Sequence, residues 1–251
     1  MSASTLIGFS SKMYFSHARM LEWARTVAET CAEHPALTSR AAELFVLPSA
    51  PSIDAVSSIL RGTGIAWGAQ HCHPDDSGAH TGDISAAVLA ELGCSFVEVG
   101  HAERRRDHGE GDELVARTTA AVLRNGMVPV LCLGETEQTT ATAAAEVVLA
   151  QVDAALADAP EGRVVVAYEP VWAIGAPQPA PDAHIRAVVA AVRSALSATE
   201  ARRGSAVIYG GSANPGLLTR LSDGVDGLFL GRFAHDPAAI RAILDEAGAR
   251  V

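Results

Sequence analysis

The chain has 251 residues, of which 49% are apolar and 19% charged, and a net charge of −10. That apolar content supports a sizeable core and excludes a disordered, collagen-like or disulfide-stapled chain; the acidic balance disfavours general nucleic-acid binding, which needs a broad basic surface. A small anionic substrate stays compatible, because a local site can be positive on an acidic protein.

In chain order, short β-branched or apolar runs are followed by Gly, Ser or Pro punctuation and then by Ala-rich segments of helical period. The first run, 6–9, leads into Ser10, Ser11 and Lys12, the first charged side chain of the sequence. Further strands are predicted over 43–47, 65–68, 96–99, 128–133, 164–167, 206–209 and 227–230. The clearest helix runs from about 182 to 203, where Ile185, Val188, Val189, Val192 and Leu196 share a face and Pro181-Asp182 supplies a start. The last, 237–247, gathers Ile240, Ile243 and Leu244 in the same way. The cysteines Cys31, Cys72, Cys94 and Cys132 are scattered, with no CxxC spacing, which suits a reducing compartment. With no leader pattern and no apolar run of the ~20 residues a membrane helix needs, the expected location is cytoplasmic, away from membranes.

Eight β-then-α units predict an α/β fold, a single (β/α)8 TIM barrel over residues 1–251. An open doubly wound sheet is the alternative, and it usually carries a GxGxxG turn after its first strand; none is present. Barrel active sites gather at the C-terminal strand ends, so the residues following each strand are the candidates. Strand one is followed by Lys12, strand four by His101 and Glu103 within "GHAERR", and strand six by Glu169 within "YEPVWAIG". Strands seven and eight lead into "YGGSAN" and "GRFAHD". Singly, each has a plain structural reading: a helix cap, a satisfied core histidine, a solvated lysine, a turn. Together, from segments far apart in the chain, they place a base, an imidazole and a cation on one rim.

These segments resemble triosephosphate isomerase along the whole chain. "AYEPVWAIG" is the most specific; "GAQHC…GAHTGD", "VEVGHAERR", "LCLGET" and "YGGSANP" follow in the family's order and spacing. The resemblance implies a ketose–aldose isomerase of short sugar phosphates that works through an enediolate without metal or organic cofactor, as a homodimer. It implies Glu169 as base, His101 as a neutral imidazole polarising the carbonyl, Lys12 as positive potential for oxyanion and phosphate, and Glu103 as the carboxylate beside that lysine. The phosphate is expected on backbone N–H groups of Gly175, Ser212, Gly231 and Arg232, under a lid spanning about 170–179.

Several positions depart from the family's pattern. Ser10 stands for the usual asparagine that helps hold the substrate, leaving a small volume near the carbonyl. Arg232 replaces a glycine, losing freedom to take φ > 0 and adding a guanidinium. Ala176-Pro177-Gln178 replaces the lid's Thr-Gly-Lys, Ala102 a serine and Asp83 a glutamate. Because the changes surround the substrate while Lys12, His101 and Glu169 are kept, the chain also resembles the paralogues that act on four-carbon erythrulose phosphates. Three classes stand open: a triose- or tetrose-phosphate isomerase, a non-catalytic phosphate-binding barrel, and another phosphate-binding barrel enzyme such as a lyase. "HCHPDD" (71–76) has metal-ligand residue types, but neighbouring side chains on extended backbone point apart, so no metal site is expected; in the family this loop packs into the dimer partner. "ERRRDHGE" (103–110) reads as a solvated face with ion pairs.

Overall fold

In the computed structural model, which describes residues 4–250, eight strands form one closed barrel in sequence order. The outermost residues of the expected domain, 1–3 and 251, lie outside the described residues. The strands are β1 (Thr5–Ser10), β2 (Ala42–Leu47), β3 (Ala66–Ala69), β4 (Phe96–Val99), β5 (Val128–Leu133), β6 (Val165–Tyr168), β7 (Ala206–Tyr209) and β8 (Gly227–Leu230). Every neighbouring pair is parallel, and β1 closes the ring on β8 through Leu6↔Gly227 to Phe9↔Leu230. Parallel strands need crossovers, and helices supply them, among them His17–Cys31, Asp112–Arg124, Ala141–Leu156, Asp182–Ser197 and Pro237–Gly248.

Strand alternation divides the core into two. Outward positions such as Ile7, Phe9, Leu44, Val97 and Val166 pack against the helices, while inward positions such as Leu6, Phe45, Phe96, Val130, Ile208 and Phe229 fill the barrel. Phe45 stacks on Phe96 with ring centroids 4.2 Å apart. Gly8 makes room for that stack, since a Cβ there would lie 2.2 Å from Phe45 Cζ. The barrel is therefore a packed plug rather than a pore, and space opens only at its mouth.

The five predicted face residues of Asp182–Ser197 are all buried, but the helix stops short of 203. Thr199 takes extended backbone (φ −122°, ψ 127°), and a separate 3₁₀ turn follows at Glu200–Arg202. Ser10 also differs from expectation: it is the last residue of β1 and is buried, rather than loop. All four cysteines are free and buried. Among the described residues no helix is long and apolar enough to cross a membrane.

Candidate active site

All nine residues singled out from the sequence (Ser10, Lys12, His101, Glu103, Glu169, Gly175, Ser212, Gly231 and Arg232) line one cavity of about 660 Å³ at the C-terminal strand ends. Lys12, two residues past β1, has φ +47°, a left-handed conformation uncommon for a residue with a Cβ. Gln70, just past β3, holds this turn: its side-chain amide lies 3.0 Å from Ser11 Oγ, 3.1 Å from the Lys12 carbonyl and 3.0 Å from the Leu47 carbonyl. Lys12 Nζ donates to Glu103 Oε1 at 2.8 Å. Burial opposes the ammonium charge, but the Glu103 bond and the fields of Glu169 and Glu98 outweigh it, so the Lys12 pKa stays above its ordinary value.

His101 caps the helix Ala102–His108, its Nδ1 accepting the Glu103 backbone N–H at 3.1 Å. With Nδ1 committed as an acceptor, the neutral ring carries its proton on Nε2. Burial, reinforced by the Lys12 charge, lowers the ring's pKa to about 4, so the imidazole is neutral at pH 7. Nε2 lies 3.3 Å from Glu169 Oε2.

Glu169 directly follows β6 and is 5% exposed, and its Oε2 has no hydrogen-bond partner among the described residues. Burial raises its pKa to about 8 against the pull of Lys12, with Glu98 and Glu103 adding to the rise. Its other oxygen requires a glycine across from it: a Cβ at Gly210 would lie 2.3 Å from Glu169 Oε1. A buried carboxylate short of hydrogen-bond donors is a strong base, and this one lies beside a neutral imidazole and an ammonium.

On the far side of the mouth the segment 170–179 is tied down over the cavity. Ser212 Oγ lies 2.9 Å from both the Ala173 and Ala176 carbonyls and shares its proton between them. Tyr209 Oη accepts the Ala180 N–H at 2.9 Å, and Arg232 Nη2 reaches the Gly175 carbonyl at 3.4 Å. Ser212 itself has φ +55°. Arg232 is not among the positive-φ residues, so replacing glycine costs no backbone strain there, and its guanidinium engages the lid. At the lid's base, Trp172 Nε1 donates to the buried Glu135 at 2.8 Å.

Ser10 is held by a residue that sequence reasoning passed over. Glu98, inward on β4 and 4% exposed, accepts from Ser10 Oγ at 2.8 Å. Burial pushes its pKa to about 7, with the Ser10 bond and Lys12 pulling the other way. Gln70 lies in "GAQHC", Glu135 in "LCLGET" and Tyr209 opens "YGGSAN"; a polar residue at a barrel strand end is the signal that picks out all three. In the 71–85 loop His71 and His73 do diverge, His71 toward Glu110 (3.7 Å) and His73 onto His80 (ring centroids 3.9 Å apart). His73, Asp75 and His80 nevertheless bring ligand atoms within 4.8 Å of one another, an arrangement the 71–76 stretch alone does not reveal. The 103–110 face is likewise less solvated than expected: Glu110 is buried and takes Arg104 at 2.6 Å.

A buried base, a neutral imidazole and an ammonium meeting at a parallel barrel's C-terminal mouth define a barrel enzyme that moves protons beside a carbonyl. The sequence model of the triosephosphate isomerase family matches residues 5–247, and the chain belongs to that family of sugar-phosphate isomerases. It is 48% identical over 245 residues to an L-erythrulose-1-phosphate isomerase of Pectobacterium atrosepticum, covering 96% of this chain and 95% of that one. A triosephosphate isomerase of Gluconacetobacter diazotrophicus is 43% identical over 175 residues, 68% of this chain and 70% of its own. The crystal structure of triosephosphate isomerase from Bartonella henselae superposes with a TM-score of 0.82 at 30% identity, covering 96% of this chain and 98% of that one.

Proposed function

We propose that this isomerase acts on a four-carbon ketose phosphate of the L-erythrulose 1-phosphate type. Two observations support the substrate class: the near-full-length similarity to an enzyme of that name, and Ser10 lining the cavity at the position where the family's pattern has asparagine. The observation that carries the chemistry is the unpartnered Glu169 Oε2 lying 3.3 Å from a His101 nitrogen that bears its proton.

In this reading Glu169 removes the proton from C3, the carbon next to the C2 carbonyl. The His101 Nε2–H donates to the oxygens of the resulting enediolate, and Lys12 balances their charge. Return of the proton to C2, with the hydroxyl proton moving from O3 to O2, leaves the carbonyl at C3. The product is an erythrulose 4-phosphate; hydrogen and electrons balance within the substrate, so no redox partner is consumed. Glu103 aligns Lys12. Backbone N–H groups of Gly175, Ser212 and Gly231, with Arg232, receive the phosphate, and the lid keeps water from the enediolate. A cytoplasmic homodimer fits the exposed apolar pair Met13 (96%) and Tyr14 (53%) beside the site, which a second copy would cover.

A coupled assay comparing L-erythrulose 1-phosphate with dihydroxyacetone phosphate tests the substrate. The expected result is a kcat/KM at least ten-fold higher for the tetrulose. A preference for the triose overturns the four-carbon reading, and no turnover of either overturns the mechanism.

A further inference from the structure

The barrel interior is apolar, built from Leu6, Phe45, Phe96, Val130, Ile208 and Phe229, yet it holds the carboxyl group of Glu98. Among the described residues no lysine or arginine comes within 4.0 Å of it: Lys12 acts from farther off, and His101, whose Nε2 is 4.0 Å away, is neutral at pH 7. A buried carboxylate with no cation in contact is expensive, and an apolar side chain at this inward position would avoid that cost. Glu98 has few partners: Ser10 Oγ on Oε2 at 2.8 Å and the weak donor Cys132 Sγ on Oε1 at 3.9 Å.

Above its pKa of about 7 Glu98 is a carboxylate that only accepts hydrogen bonds, so there Ser10 must give it its one proton. What Ser10 then offers the cavity it lines is lone pairs alone. A hydroxyl fixed in this sense accepts from a ligand O–H and repels a carbonyl or enediolate oxygen. It therefore cannot share in the oxyanion work of Lys12 and His101. The lid side of the cavity offers Ile174, Ala176 and Pro177, whose side chains carry no acceptor. In a triose phosphate both oxygens outside the phosphate take part in the reaction, whereas a tetrulose phosphate brings one more hydroxyl, on its fourth carbon.

We infer that Glu98 is a positioning residue that fixes Ser10 as a hydrogen-bond acceptor, and that Ser10 selects substrate by accepting from the hydroxyl of the fourth carbon. This rests on the four-carbon reading above. Glu98 acts through Ser10, not on the reacting atoms.

The test measures kcat/KM at pH 8, where Glu98 is ionised, for L-erythrulose 1-phosphate, its 4-deoxy analogue and dihydroxyacetone phosphate in the wild type, Glu98→Gln, Ser10→Ala and the double variant. A glutamine amide can donate to Ser10 and so release the serine proton toward the cavity. The expected result is a fall of at least ten-fold in the tetrulose-to-triose ratio for each single variant, carried mainly by KM. The double variant falls no further, because both changes remove one interaction. The wild type prefers the hydroxylated tetrulose to its 4-deoxy analogue by a similar factor, and Glu98→Gln loses that preference. Parallel losses on all substrates with an unchanged ratio, or a lowered melting temperature alone, mean a structural glutamate and overturn the inference. A wild type that turns over the tetrulose without discriminating the 4-deoxy analogue also overturns it while leaving the four-carbon reading intact. A wild type that turns over only the triose overturns both. Ser10→Ala keeps the test open should Glu98→Gln fail to fold.

Discussion

Glu135 and Glu169 are both glutamates buried at the C-terminal rim, one following β5 and the other β6, 3% and 5% exposed. Glu135 is surrounded by donors: Trp172 Nε1 at 2.8 Å, the Tyr168 hydroxyl at 3.2 Å from each oxygen, and His184 Nε2 at 3.3 Å. Glu169 has an oxygen with no hydrogen-bond partner among the described residues. Burial alone therefore decides neither role. A carboxylate given donors anchors the lid and the strands beneath it, whereas one denied them keeps its basicity for a substrate proton. Glu98 falls between the two, with one strong donor and, among the described residues, no lysine or arginine in contact.

The largest break in this comparison comes from Glu169→Gln. Replacing Glu169 should lower kcat by about 10³-fold, within the range for general-base catalysis, while the melting temperature holds near pH 7, where the buried group keeps its proton, and rises above pH 8, where a buried charge is removed. A large loss of stability would show that Glu169 is scaffold like Glu135. The reverse pattern is expected of Glu135→Ala. It strands the Trp172, Tyr168 and His184 donors and should cost about 3 kcal/mol in denaturant unfolding, with a smaller loss of turnover than Glu169→Gln.

The pH dependence of stability comes next. Glu98 and Glu169 have folded pKa values of about 7 and 8, above the ordinary 4.5, so above pH 4.5 the native state keeps protons that the unfolded chain has released. Their contribution is fully present below pH 4.5 and is lost as pH rises through the folded values. His71 and His101, lowered to about 4, act with the opposite sign below pH 6.5, so a difference between variants is the clean reading. Glu98→Gln should gain melting temperature over the wild type between pH 4.5 and 7 and level off above, by on the order of 2 kcal/mol in stability. A difference that does not change with pH would show that Glu98 is not held protonated by burial. The smallest effect is expected from Ser212→Ala, which frees the Ala173 and Ala176 carbonyls of the lid. About 1 kcal/mol of closure is lost, read as a several-fold drop in kcat/KM with the melting temperature nearly unchanged.

Much of the site was legible before any coordinates, because a barrel converts strand order into position. Lys12, His101 and Glu169 stand just past strand ends, and closure of the ring brings them together whatever lies between. The buried face of Asp182–Ser197 followed from its period, although its end did not: the turn at Thr199 interrupts a helix that composition would have continued. His101's tautomer was hidden as well, since it depends on the ring capping its own helix through the Glu103 N–H.

The alternation of short strands and helices determined a parallel barrel, and motifs at the strand ends determined where its chemistry sits. The meeting of Ser10 and Glu98 was decided only by closure. In "FVEV" a period of two separates Phe96 and Glu98 from Val97 and Val99, but it does not tell which pair faces the helices and which the barrel axis. Ser10 and Glu98 are 88 positions apart, and neither carries a local signal of the other. A closed ring with the registers that β1 and β4 make with their neighbours turns both inward at the level of the mouth, where a serine hydroxyl and a carboxylate can share one proton.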